Sequence, residues 1–129
     1  MTNDELLEAA AEAAERSYSP YSSFRVGAAV LAADGTVYTG ANVENAAYGS
    51  SVCAEAAAIS SAVNAGVRKI DVVAAVCLDG EFCSPCGNCR QLMQEFFVET
   101  VVLHEPDGAS VAVPLSDLLP MSFGPEALG

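Results

Sequence analysis

Residues 69–78 read Lys-Ile-Asp-Val-Val-Ala-Ala-Val-Cys-Leu. The run is apolar and β-branched with almost no polar alternation, which predicts a strand covered on both faces, as in sheets with helices on either side. The flanking segments supply those helices. Before it, Cys53 to Ala65 is rich in alanine, contains no proline and is closed by Gly66, which predicts a buried helix. After it, Ser84-Pro85 predicts a cap and a first-turn proline for a second cysteine-bearing helix reaching about Phe97. Further out, Val26 to Leu31 and Val37 to Val43 read as antiparallel strands joined through Asp34-Gly35, whose positive φ angles would make a tight turn. Thr2-Asn3-Asp4-Glu5 is a capping box opening a helix to about Arg16. Thr100 to Leu103 and Ser110 to Val113 predict short strands around Pro106-Asp107-Gly108, and Leu115 to Leu119 a short terminal helix. The order αββαβαββα predicts an α/β fold, a mixed five-stranded sheet sandwiched by helices, formed by residues 1–129 as one domain.

Composition narrows the function classes. At 129 residues and 52% hydrophobic, the chain suits one globular core. Five Lys+Arg against 17 Asp+Glu give a net charge of −12, which repels a polyanion, so no nucleic acid partner is expected. No apolar run approaches the roughly 20 residues that span a bilayer, so no membrane partner is expected either. The cysteine count of five is odd, and no signal-peptide pattern precedes Asp4 and Glu5. The expectation is a cytoplasmic protein with reduced or metal-bound cysteines.

Cys53-Ala54-Glu55 and Pro85-Cys86-Gly87-Asn88-Cys89 each sit at a predicted helix start. Cys86 and Cys89, at i and i+3, share one helix face and can share a metal. Cys53 and Glu55 point about 200° apart on a helix wall, so they converge only on a point beyond its N-terminus. There the first-turn amides and the helix dipole favour thiolates. Three thiolates on one Zn²⁺ leave the fourth tetrahedral position open, the mark of a catalytic site. Water there becomes a nucleophile, and a carboxylate that is not a ligand, here Glu55, can carry its proton to a leaving amine. The site keeps one net negative charge, which helix amides and Arg90, next to Cys89, are expected to damp.

Cys-Ala-Glu followed by Pro-Cys-x-x-Cys resembles the zinc-dependent cytidine deaminase family, whose signature is close to that of base deaminases generally. Further blocks follow in the family's order: Ser19 to Phe24 with Val26 to Ala29, Thr39 to Asn45 with Ala47 to Gly49, Ser84 to Gln91, and Leu118 to Pro120 with Phe123 to Pro125. The three-cysteine pattern is similar to the short homotetrameric nucleoside deaminases. The resemblance implies hydrolytic deamination of cytidine and 2′-deoxycytidine, with Cys53, Cys86 and Cys89 holding one zinc per subunit and Glu55 shuttling protons. It implies that Asn42 and Glu44 bond the ribose, Phe24 packs on the pyrimidine, Ala54 bonds the base through its backbone, and Tyr48 and Phe123 complete a neighbouring subunit's pocket. Some members carry Arg after the catalytic Glu, where it bonds the cysteine sulfurs. Ala56 stands there in this chain, which leaves the damping to Arg90 or other donors.

Plainer readings stand beside these. His104 is the candidate fourth ligand if the zinc is structural, in a zinc-stabilised interaction protein without turnover. Cys77 and Cys83 read as small buried hydrophobes. Asn42 and Glu44 read on their own as solvated strand-end residues. Within the enzyme class, the alternative is an aminohydrolase of another pyrimidine nucleoside, such as blasticidin S.

Overall fold

The computed structural model describes residues 1–80, 83–105 and 107–129, so Pro106 of the expected turn lies outside the described residues. Five strands, β1 (Val26–Ala32), β2 (Val37–Ala41), β3 (Ile70–Cys77), β4 (Thr100–His104) and β5 (Ser110–Pro114), form one sheet in the order β2-β1-β3-β4-β5. Only β3 and β4 pair in parallel, and the other pairs are antiparallel, which is the expected mixed sheet. The helices are α1 (Asn3–Ala14), α2 (Ala54–Asn64), α3 (Gly87–Glu95) and α4 (Leu115–Leu118).

Alternation along the strands sorts the core into two layers. Ala29, Ala74, Val76 and Val102 face one way and receive Leu6 and Ala10 of α1. Ala28, Val30, Val73, Ala75, Val101 and Leu103 face the other way and receive Ala58, Ile59, Ala62 and Met93 of α2 and α3. Helices therefore cover both faces, and β3 is buried as its composition predicts.

Strand direction positions the site. β2 and β3 run the same way with β1 between them, so the connections leaving their carboxyl ends open on one edge of the sheet. Those connections lead into α2 and α3. The two cysteine-bearing helix starts consequently meet at the carboxyl edge of the sheet, where ligands bind in α/β folds.

Three local expectations are corrected. Only Gly35 of the Asp34-Gly35 pair has positive φ (91°), because the hairpin is closed by a longer loop in which Asp34 accepts from the Thr36 amide. β2 ends at Ala41, since Val43 leaves the β1 edge to bridge Tyr18 and Val52. The N-cap of α3 is Cys86, with Pro85 ahead of it, so Ser84 and Pro85 are neither cap nor first helical residue. The Ser84 hydroxyl accepts from Arg90 instead. Among the described residues, no helix is long and apolar enough to cross a membrane.

Candidate active site

Cys53 caps α2 and Cys86 caps α3, both in extended backbone conformation, and Cys89 is the third residue of α3. Their three sulfurs lie within 4.8 Å of one another. Sulfurs bonded at about 2.3 Å to one tetrahedral zinc stand about 3.8 Å apart, so the donor set and its spacing fit zinc. Among the described residues, no other His, Cys, Asp or Glu joins the group, and His104, at the end of β4, is not a member.

Burial pushes the Cys53 and Cys89 thiols up. Burial also acts against ionisation of Cys86, but the amides of Cys89 and Asn88 and the neighbouring thiols outweigh it and the net shift is downward. A coordinated cation overrides such opposition and holds a thiol deprotonated. Glu55, the second residue of α2, is 4% exposed. Burial raises its carboxyl, opposed only by its own amide, so it is poised to hold a proton.

Two cavities meet here. One of ≈ 190 Å³ is lined by Cys53, Ala54, Glu55, Cys83 and Cys86, and one of ≈ 410 Å³ by Tyr21, Ser22, Glu44, Tyr48 and Val52. Asn42 and Cys53 line both, so the two cavities share a wall that lies between Cys86 and Glu55 on one side and Glu44 on the other.

The polar residues at the far end are already partly engaged. Glu44 accepts from the Tyr21 and Ser22 amides at 2.9 and 3.2 Å and from the Ser22 hydroxyl, which hold the turn at 20–23 in place. The Ser22 hydroxyl and those amides also lower its pKa. Asn42 donates to the Phe24 carbonyl at 2.9 Å and accepts from the Val26 amide at 3.0 Å and from the Ser17 hydroxyl. Tyr48, 74% exposed, meets Tyr21 edge-on with centroids 6.0 Å apart.

Other expected residues lie elsewhere. The Phe24 ring lines neither cavity and lies over Gly80, where a Cβ would stand 2.8 Å from Cε1. The missing side chain at Gly80 makes room for it. Phe123 is 60% exposed, and its carbonyl is held by Gln91. Arg90, expected to damp the thiolate charge, directs its donors to the carbonyls of Pro85 and Leu118 and to the Ser84 hydroxyl. Cys77 is buried in β3. Cys83 is half-buried, pushed up to about 12 by burial, and lines the smaller cavity. Sequence reasoning gave Cys83, Ser17 and Tyr21 no place in the site. A thiol three residues before Cys86 and a polar loop that had to fold back on Asn42 were the only signals.

A helix-covered mixed sheet that brings three cysteines and a buried glutamate to one edge defines a metal-dependent hydrolase of the deaminase type. Residues 1–105 match the cytidine and deoxycytidylate deaminase zinc-binding region. The chain is 42% identical over 130 residues to the cytidine deaminase of Sporosarcina psychrophila, covering 99% of this chain and 96% of that one. It is 41% identical over 131 residues to a probable cytidine deaminase of Dictyostelium discoideum, covering 98% and 89%. The crystal structure of cytidine deaminase from Burkholderia pseudomallei superposes with a TM-score of 0.88 at 44% identity, over 95% of this chain and 100% of that one. That of the Mycobacterium tuberculosis enzyme gives 0.84 at 39%, over 96% and 98%. The chain belongs to the cytidine deaminase family.

Proposed function

We propose that this protein hydrolyses cytidine and 2′-deoxycytidine to uridine and 2′-deoxyuridine with release of ammonia, as a step of pyrimidine salvage. The observation that carries the reading is that the three clustered sulfurs and the buried Glu55 adjoin one cavity, and that Asn42 and Cys53 link this cavity to a second one lined by Glu44.

Zinc held by Cys53, Cys86 and Cys89 supplies the Lewis acidity that makes water a nucleophile near neutral pH. Glu55 takes the proton of the attacking water, places it on ring N3, and delivers a second proton to the departing amine, so that water and cytidine balance against uridine and ammonia. Its burial supports that role, since a carboxyl raised toward neutrality both accepts and returns a proton. The Ala54 backbone at the helix start offers a contact to the base.

Glu44 and Asn42 read the sugar. A carboxylate has about four acceptor sites and Glu44 uses three, while one N–H of Asn42 remains after its bond to Phe24. A hydroxyl-free analogue would leave that remaining capacity unused. Exposed Tyr48 and Phe123, with Met121 and Leu128, form apolar surface suited to burial between copies of the chain. A homotetramer in which Tyr48 and Phe123 line a neighbour's pocket accounts for that exposure. The test is the ultraviolet change and ammonia yield with each nucleoside, alongside light scattering. Ammonia from neither nucleoside refutes the activity, and a fully active monomer refutes the shared pocket.

A further inference from the structure

We propose that Arg90 is a positioning residue that couples the seating of the C-terminal segment to the metal cradle, so that retention of zinc depends on residues 118–123. The inference rests on the reading that the three cysteines hold zinc.

Cys89, Arg90 and Gln91 follow one another on α3, and each reaches a different part of the chain. Cys89 joins the sulfur cluster. Arg90 Nε donates to the Pro85 carbonyl at 2.8 Å and Nη2 to the Ser84 hydroxyl at 2.9 Å, which fixes the two residues leading into Cys86 against the helix that carries Cys89. Nη1 donates to the Leu118 carbonyl at 2.7 Å, the last residue of α4. Gln91 Nε2 donates to the Phe123 carbonyl at 2.8 Å.

One rigid guanidinium therefore ties the approach to Cys86 and the end of α4 together. The Leu118 carbonyl is among the helix-end acceptors that have no partner inside their own helix, so its bond to Arg90 is a principal fixing of that end. The planar fork serves three acceptors in fixed directions, which a flexible ammonium cannot do. Whatever displaces residues 118–123 reorients the fork and loosens the Cys86 approach. Because binding coupling is reciprocal, whatever holds Cys86 and Cys89 together also favours the seated segment.

The test uses the zinc-loaded protein and follows zinc transfer to a chromogenic chelator, with amide exchange over residues 118–124. Arg90→Lys is expected to release zinc about tenfold faster or more, as for other residues that orient metal ligands, and to speed exchange of that segment. Gln91→Ala, which removes the bond to the Phe123 carbonyl, is expected to speed release by a smaller factor. If Arg90→Lys does not fold, Ser84→Ala, which removes one acceptor and little packing, is expected to move release in the same direction. Release at the parent rate in Gln91→Ala overturns the coupling, as does parent-rate exchange of the segment in Arg90→Lys or in its Ser84→Ala substitute. A parent that binds no zinc overturns the ligand reading itself, which the same assay shows separately.

Discussion

Gly40 of β2 lies directly under the backbone of α2: a Cβ on Gly40 would stand 2.5 Å from the Ala58 amide nitrogen. The absence of a side chain there lets the helix sit on the strand at the height that brings Cys53 and Glu55 to the sheet edge. Gly40→Ala is expected to push α2 outward, with a loss of about 1–3 kcal/mol typical of overpacking and a lower zinc content. Denaturant unfolding and metal analysis check both. Gly27, where a Cβ would meet the Ala10 carbonyl at 1.9 Å, is expected to behave alike for stability through α1.

Glu55→Gln keeps the shape of a 4% exposed side chain and removes its proton chemistry. Zinc content and melting temperature are expected to stay near those of the parent while turnover falls by about 10²–10⁴. Activity within tenfold of the parent would remove Glu55 from the mechanism.

Cys86→Ala takes away one of three sulfurs that lie within 4.8 Å. Metal analysis is expected to show the zinc content falling from one per chain toward none, and unfolding midpoints should drop because bound metal stabilises the fold that binds it.

The Arg25 guanidinium, bonded to Asp79 at 2.8 and 2.9 Å, and then the Arg25 amide hold the Asp79 carboxyl down to about 2 from an ordinary 3.8. Since the folded-state value is the lower one, the pair stabilises the protein fully above about pH 4 and progressively less as pH falls toward 2. Asp79→Asn is expected to be less stable than the parent at neutral pH, with the difference shrinking through that window. Urea midpoints measured across it check the sign, and a difference that does not change with pH contradicts it.

The features legible in the sequence were those set by neighbours along the chain. The Thr2–Glu5 capping box forms with both reciprocal bonds, at 2.9 and 3.1 Å, and the apolar run from Val72 to Cys77 in β3 marked it as central. The spacing of Cys86 and Cys89 and the Cys-Ala-Glu at a helix start were enough to bring three sulfurs together. Features set by distant contacts were not legible. Ser84 and Pro85 carry a strong local capping signal, but Arg90 captures the Ser84 hydroxyl and the Pro85 carbonyl, and Cys86 becomes the cap. Phe24 turns to Gly80 because that glycine leaves a gap, and Gly27 and Gly40 matter through helix residues Ala10 and Ala58, 17 and 18 positions away.

The most direct test of hydrolytic deamination is turnover of cytidine by the zinc-loaded protein in heavy-oxygen water, with ammonia assayed and the product analysed by mass spectrometry. The account predicts one ammonia released per uridine formed and one heavy oxygen in each uridine. Cytidine that stays intact, or uridine formed without the label, would contradict it.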